Sequence, residues 1–211
     1  MRHRPHRLEV DGERSVGDAR KILVFDTETT GMVEWKHPEN SQRQPHLVQL
    51  GMLLVDTLDW QPISQYASLV DLEQGVDMEP GALAAHGISA AMCREDGVSL
   101  RLACDVFVKA ALQADRLVAH NLGFDRIVMR AACERAGASL DWLTGVPGYC
   151  TMEASTPILQ LPGKRGHKWP TLAEAYAFFS GQSLQGAHDA SVDAAACLEI
   201  YRGLQEREVI P

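Results

Sequence analysis

The chain has 211 residues, 45% of them hydrophobic, which is enough for one sizeable core and short for two. Its net charge of −8 at pH 7 argues against a broadly basic surface, so contact with a phosphate backbone would need bound cations or a local basic loop. Five scattered cysteines without a Cys-x-x-Cys pair argue against a disulfide framework or a zinc site, and no apolar run approaches the ~20 residues that cross a bilayer.

We therefore expect a soluble, cytoplasmic protein without a membrane partner, with a single domain over residues 21–207. Residues 1–20 are predicted to form a flexible N-terminal tail. The tail opens with a basic run from Met1 to Arg7, which leaves a nucleic-acid-binding arm as an alternative, although Asp11 and Glu13 follow closely.

The first predicted strand, residues 21–28, is an apolar, β-branched run that ends in two carboxylates. Because side chains alternate along a strand, Asp26 and Glu28 project together while Thr27 points the other way. Two neighbouring negative groups repel each other, and hard divalent ions such as Mg²⁺ or Mn²⁺ take oxygen ligands of this kind. The strand end therefore predicts a metal site, with a solvated sheet edge as the alternative.

The rest of the pattern predicts an α/β domain. Further strands are predicted over residues 46–56, 63–70, 116–120 and 149–155. Helices are predicted over residues 80–88, 99–114, 124–136 and 190–206, and another begins at a capping box, residues 171–174. The short connection before the third strand predicts an antiparallel meander, and the later strand–loop–helix order predicts a parallel partner for the first strand. In the second helix the apolar face is predicted to consist of Leu102, Val106, Phe107, Ala110 and Ala111.

Two more carboxylates lie near the starts of predicted helices. Asp125 falls in the first turn of a helix just beyond a strand, at the edge where open α/β sheets place their sites, although such an acid can equally be a capping residue. Asp193 lies early in the last helix among small residues, and its alternative is an exposed helix acid.

Three segments together carry a family resemblance. Residues 26–31 (Asp-Thr-Glu-Thr-Thr-Gly), 120–125 (His-Asn-Leu-Gly-Phe-Asp) and 188–193 (His-Asp-Ala-Ser-Val-Asp) resemble, in order, the three motifs of the DEDD, or DnaQ-like, exonuclease superfamily. This superfamily includes the proofreading subunits of bacterial replicative polymerases, ribonuclease T and oligoribonuclease. The resemblance spans about residues 21–200, and residues 84–88 are also similar to a segment between the first two motifs.

The position of one histidine identifies the subgroup. His188 lies five residues before Asp193, as in the histidine branch, whereas the tyrosine branch has a tyrosine where this chain has Asp189. Five residues turn about 140° around a helix, so His188 and Asp193 cannot share one helical face. We therefore expect His188 in the loop before the helix.

The resemblance implies an RNase H-like mixed sheet flanked by helices, and metal-dependent hydrolysis from 3′ ends. Two Mg²⁺ or Mn²⁺ ions would be held by Asp26, Glu28, Asp125 and Asp193, with Asp26 as the bridging ligand. His188 would act as the general base. The expected substrate is single-stranded or frayed nucleic acid, with DNA preferred over RNA, and the products are nucleoside 5′-monophosphates.

The resemblance also implies a set of residues that line the terminal nucleotides: Thr29, Met32, His86, Ile88, Asn121 and Phe124. Phe124 is expected to stack on a base. For Phe124, Met32 and Ile88, packing in the core is the alternative. A basic loop with Lys164, Arg165, His167 and Lys168 is predicted either to contact phosphates or to be merely solvated. Ribonuclease T relatives have a phenylalanine where this chain has Met32.

Other functions are compatible with parts of the same pattern. A non-catalytic nucleic-acid-binding or scaffold module of the same fold, and an RNA-trimming exoribonuclease, remain alternatives. An RNase H-like endonuclease is disfavoured by His188 and the second motif. Whether the chain forms a homodimer or associates with a polymerase is left open.

Overall fold

The computed structural model describes residues 20–207, in which a mixed sheet is flanked by helices. The strands of the main sheet are β1 (Lys21–Thr29), β2 (Leu47–Asp56), β3 (Gln61–Leu69), β4 (Arg116–Ala119) and β5 (Gly148–Cys150). A separate small hairpin consists of β6 (Pro162–Gly163) and β7 (Gly166–His167). The helices are α1 (Pro80–His86), α2 (Ala90–Asp96), α3 (Leu100–Ala111), α4 (Leu122–Ala136), α5 (Trp142–Gly145), α6 (Thr151–Leu159), α7 (Leu172–Ser180) and α8 (Ala190–Glu206).

The predicted tail, residues 1–20, lies outside the described residues except for Arg20. The division into a tail and one domain therefore stays a prediction. Within residues 20–207, no helix is both long and apolar enough to cross a bilayer.

The strands of the main sheet lie in the order β3-β2-β1-β4-β5. β1 pairs antiparallel with β2, and β2 with β3, whereas β4 runs parallel to β1 and β5 parallel to β4. The predicted fold class, an antiparallel meander joined to parallel strands and flanked by helices, is confirmed. Because β1 is the central strand, the carboxylates near its end lie at the middle of the sheet edge.

Alternate residues of β1 pack against different helices. The larger core, which β1 shares with α3 and α4, contains Leu23 and Phe25. The smaller core, which β1 shares with α8, contains Ile22 and Val24. By the same alternation, Asp26 and Glu28 face the α8 side, whereas Thr27 faces the α4 side. The strand therefore presents its two carboxylates to α8 and a hydroxyl to α4.

Two element predictions are wrong in part. The strand expected over residues 149–155 ends at Cys150, and a helix begins at Thr151. Serine and threonine hydroxyls can compete with helical backbone hydrogen bonds, but here one is satisfied within the helix, since Ser155 donates to the Thr151 carbonyl at 2.6 Å. In α3, Phe107, Ala110 and Ala111 are buried as predicted, but Leu102 is 50% exposed, and Ala103, Cys104 and Val108 complete the buried face.

Gly51 allows the start of α8 to lie directly on the sheet. This glycine is paired with Asp26 across the β1–β2 ladder. A Cβ at position 51 would lie only 2.2 Å from the carbonyl carbon and oxygen of Ala190, the first residue of α8. The side chain of Gln49 holds the same helix end, because its Oε1 accepts the Ala190 N–H at 3.0 Å. The first turn of α8 is thus fixed beside the end of β1.

We predict that Gly51→Ala lowers the free energy of unfolding by about 1–3 kcal/mol, because the added methyl group must displace backbone atoms of α8. Urea unfolding measures this loss. Gly81→Ala is the matched control, since a Cβ at position 81 meets nothing within 4 Å. Equal stability of the two variants would contradict this account of α8 packing.

Candidate active site

Four carboxylates converge where β1, α4 and α8 meet. Asp26 and Glu28 lie near the end of β1, and Asp125 and Asp193 lie in the first turns of α4 and α8. Desolvation by burial, followed by the charges of Asp125, Asp193 and Glu28, raises the pKa of Asp26 well above its ordinary value. Burial and then the charge of Asp193 raise the pKa of Glu28 to about 8. The four acids that the sequence predicted are therefore close enough to repel one another.

Asp125 is held in place by Thr27. The backbone N–H of Thr27 donates to Asp125 Oδ1 at 3.0 Å, and the Thr27 hydroxyl donates to the same atom at 2.8 Å. These bonds favour the ionised carboxylate, but burial outweighs them and raises the pKa of Asp125 to about 7. Thr27 does point away from Asp26 and Glu28, as expected. Its role in positioning Asp125 was not foreseen from the sequence.

Asp193 has one paired and one unpaired oxygen. Its Oδ2 accepts the backbone N–H of His188 at 3.0 Å. Its Oδ1 is buried and has no hydrogen-bond partner among residues 20–207. A buried carboxylate oxygen without a partner is costly, and burial correspondingly raises the pKa of Asp193. A bound cation would satisfy this oxygen.

Ligand atoms from Glu28, His188 and Asp193 lie within 4.8 Å of one another. Asp26 and Asp125 are not members of this group of three, but they lie close to it, because the charge of Asp125 raises the pKa values of both Asp26 and Glu28. An oxygen-rich set of repelling carboxylates suits a hard divalent cation such as Mg²⁺ or Mn²⁺, and the imidazole is also acceptable to Mn²⁺ or Zn²⁺. The residues present therefore fit the predicted metal site.

His188 lies in the loop before α8, as the sequence predicted. The helix begins at Ala190 after the N-cap Asp189, whose side chain accepts the N–H of Ser191 at 2.9 Å. His188 has a φ of 70°, a left-handed conformation that is uncommon for a residue with a side chain. Its backbone N–H is held by Asp193, while its imidazole is exposed at the edge of the site. The ring is therefore accessible to a substrate.

Thr29, His86 and Ile88 form one linked group beside the end of β1. The His86 Nε2 lies 3.1 Å from the Thr29 carbonyl oxygen, and the Ile88 N–H donates to His86 Nδ1 at 3.0 Å. Because Nδ1 accepts, His86 is a neutral imidazole that donates through Nε2, and burial lowers its pKa. The Ile88 side chain is only 6% exposed and packs with Val48. The Ile88 side chain therefore packs in the core, which was the alternative to a nucleotide contact.

The remaining predicted substrate residues lie near the start of α4 or after β1. Met32 is 70% exposed, whereas Phe124 is half-buried against the larger core. Asn121 is the N-cap of α4 and has a φ of 75°. Trp35, which the sequence pattern does not single out, is 60% exposed and packs its ring over Gly123. An aromatic residue in a polar loop carries no periodic signal, so only the structure associates it with the second motif.

Most of the chain matches a known protein family. Residues 23–201 match the model of a family described as Exonuclease (RNase_T). A search of the curated proteins finds no match.

Solved structures of Escherichia coli exonuclease I share the fold. The complex with a dA16 oligonucleotide has a TM-score of 0.71 at 16% identity, over 89% of this chain and 41% of that one. The complex with dT13 has a TM-score of 0.72 at 17% identity, over 89% and 41%. A zinc-bound form of the complex with single-stranded DNA has a TM-score of 0.71 at 17% identity, also over 89% and 41%. The chain therefore spans less than half the length of these proteins, and the likeness establishes a common fold.

We predict that, in the presence of a chelator, the free energy of unfolding falls as the pH rises from about 5 to about 8. The pKa values of Glu28 and Asp125, about 8 and about 7, lie above their ordinary values of 4.5 and 3.8. The native state therefore holds protons that the unfolded state has released, so stability is fullest at low pH and is lost as the pH rises through the native pKa values.

Chemical denaturation at several pH values measures this slope. Glu28→Gln is expected to make it shallower, and saturating Mg²⁺ or Mn²⁺ is expected to raise the stability most at the higher pH. A slope that is the same with and without Glu28, or a stability that rises across this range in chelator, would contradict the assignment.

Proposed function

Because this chain belongs to the Exonuclease family that its residues 23–201 match, we propose that it is a divalent-metal-dependent 3′–5′ exonuclease. It hydrolyses the last phosphodiester bond of single-stranded or frayed nucleic acid and releases nucleoside 5′-monophosphates. The observation that carries the proposal is the convergence of four mutually repelling carboxylates beside an exposed imidazole. A module that only bound nucleic acid would gain affinity for phosphate by losing these negative charges.

We infer that Asp26, Glu28, Asp125 and Asp193 together hold two divalent cations, Mg²⁺ or Mn²⁺. The unpaired Oδ1 of Asp193 and the raised pKa values of Asp26 and Glu28 support this inference. When bound, the cations supply positive charge that attracts the scissile phosphate and acidifies the attacking water. Thr27 keeps Asp125 aimed into the site through two hydrogen bonds.

His188 serves as the general base in this proposal. As a water oxygen attacks phosphorus, His188 takes the proton that the water loses, and the bond from phosphorus to the 3′ oxygen of the preceding nucleotide breaks. That 3′ oxygen takes up a proton from solvent and becomes the new 3′ end. The accessible imidazole and its proximity to Glu28 and Asp193 support this role. The hydrogen bond from the His188 N–H to Asp193 ties the base to the carboxylate cluster.

Single-stranded DNA is the substrate that the comparisons favour, since the related folds include complexes with dA16 and dT13. In this proposal Thr29, His86 and Asn121 contact the terminal nucleotides, and the exposed Met32 offers an apolar surface to a base. The contact of His86 with Thr29 at the end of β1 and the position of Asn121 at the start of α4 support these roles. Rates on DNA and RNA oligonucleotides of matched sequence test this preference. Faster digestion of RNA would reassign the chain as an exoribonuclease with the same chemistry.

We predict that Asp26→Asn or Asp193→Asn lowers the digestion rate of a 5′-labelled oligonucleotide by about a thousandfold or more, because each removes a charge that holds the cations. Both variants should fold, since each change relieves repulsion in the metal-free site. Asp96→Asn, which changes an exposed acid at the end of α2, is the control and should keep full activity.

The same sequence should also be supplied as a circular single strand with an internal label. Resistance of the circle supports attack from an end, and cutting of the circle would favour an endonuclease. Full activity of either site variant would refute the carboxylate assignment, and an inactive parent protein with both metals would favour a non-catalytic module.

We predict that His188→Gln lowers kcat by about 10²- to 10⁴-fold, because glutamine cannot take the proton that the attacking water loses. Metal-induced stabilisation should persist in this variant if the carboxylates are the main ligands. His37→Gln, which changes a histidine in the loop after β1, is the control. An unchanged kcat in His188→Gln would show that another group takes the proton.

A further inference from the structure

A basic segment of the chain is not used by the chemistry described above. Residues 162–169 (Pro-Gly-Lys-Arg-Gly-His-Lys-Trp), here called the basic hairpin, lie within a stretch of the sequence, residues 154–173, that has no Asp or Glu. The chain as a whole carries a net charge of −8. Positive charge is therefore locally concentrated in a protein whose surface otherwise repels phosphates.

The geometry of the basic hairpin places its cations at an exposed tip. Pro162 pairs with His167 and Gly163 with Gly166, which leaves only Lys164 and Arg165 in the turn. Gly166 has a φ of 110°, which permits this tight connection. Hairpin turns favour Gly, Asn and Asp, so turn geometry alone does not call for two cations.

The basic hairpin carries two exposed cations at its tip and an exposed aromatic residue at its end. Lys164 and Arg165 are exposed and form no ion pair with any residue from 20 to 207. Lys168, by contrast, is bound to Glu174 at 2.6 Å, which fixes the base of the hairpin to α7. Trp169 is 65% exposed at the end of the hairpin. An exposed ring in the same short hairpin as two such cations suits a partner with both bases and phosphates.

The root of the hairpin is attached to the strand beside the carboxylates. The carbonyl oxygen of the buried Pro170 lies 3.0 Å from His120 Nε2, and His120 Nδ1 lies 2.9 Å from the Thr151 hydroxyl. Because Pro170 offers only an acceptor, His120 donates through Nε2. His120 directly follows β4, whose Val118 is paired with Val24 of β1. Because β1 and β4 are parallel, counting two residues further along each strand places His120 beside Asp26. The hairpin is therefore attached one strand away from the carboxylates.

We propose that the basic hairpin holds the nucleic-acid strand upstream of the scissile bond. Lys164 and Arg165 contact backbone phosphates, and Trp169 stacks on a base. The proposal rests on the exonuclease function above, since it assigns the hairpin to the substrate of that site. The hairpin adds affinity for strands long enough to reach it and takes no part in bond cleavage.

The test compares a long and a short substrate. Lys164→Ser/Arg165→Ser is assayed on a single-stranded DNA 20-mer and on the p-nitrophenyl ester of thymidine 5′-monophosphate, which has no upstream strand. We expect KM for the 20-mer to rise about tenfold at low salt with kcat unchanged, and hydrolysis of the ester to stay at the wild-type rate. The slope of log KM against log salt should become flatter by about 1.4, or about 0.7 for each phosphate that the variant no longer neutralises.

Matched variants separate the hairpin from general charge. Arg94→Ser/Lys109→Ser removes two exposed cations from α2 and α3 and should leave KM unchanged. Lys164→Arg/Arg165→Lys keeps both charges and should have the wild-type KM. Trp169→Ala should raise KM about tenfold without changing the salt slope, because stacking releases no counterions.

Each outcome decides between the proposals. Three results would overturn the hairpin proposal: an unchanged KM for Lys164→Ser/Arg165→Ser, an equal rise of KM in Arg94→Ser/Lys109→Ser, or a loss of ester hydrolysis in Lys164→Ser/Arg165→Ser. The first result would favour a protein as the partner that the hairpin binds. If the wild-type protein hydrolyses neither substrate, the exonuclease proposal fails. Fluorescence anisotropy with the labelled 20-mer then tests the hairpin alone, and undiminished binding by Lys164→Ser/Arg165→Ser would overturn it.

Discussion

The repulsion among four desolvated carboxylates is the constraint on which the rest of the structure depends. Negative groups brought together away from water oppose folding, and the raised pKa values of Asp26 and Glu28 express that cost. The fold offsets it with neighbouring hydrogen-bond donors. Thr27 donates twice to Asp125, and the His188 N–H donates to Asp193. The Oδ1 of Asp193 remains without a hydrogen-bond partner among residues 20–207.

Two layers of helices contribute to the site because a strand has two faces. Asp26 and Glu28 lie on the α8 side of β1. Thr27 lies on the α4 side, and its hydrogen bond to Asp125 holds that carboxylate near the end of the strand. Gly51 allows α8 to lie against β2 where an added Cβ would collide with Ala190. No single element supplies more than two of the four acids, so the site forms only where α4 and α8 both pack against the sheet.

Much of this arrangement could be predicted from short-range pattern. The alternation in β1, the helix that begins at Ala190 and the angular separation of His188 from Asp193 are all local properties of the sequence. The contacts that position these groups are not local. Thr27 meets Asp125 across 98 residues and Gln49 meets Ala190 across 141, and no spacing rule predicts such pairs. The same limit explains why local pattern predicts a strand where α6 begins and why it gives no sign of the exposed Trp35.

The dependence of the site on α8 has a consequence for the order of events during synthesis. Asp26, Glu28 and Asp125 are synthesised long before Asp193. One face of the central strand stays uncovered until α8, the last described helix, docks on it. A nascent chain therefore carries three acids without the fourth carboxylate or the imidazole. The cluster of four carboxylates is thus completed late, and a chain cut short before residue 190 would be left with an open hydrophobic sheet face that is prone to aggregation or proteolysis.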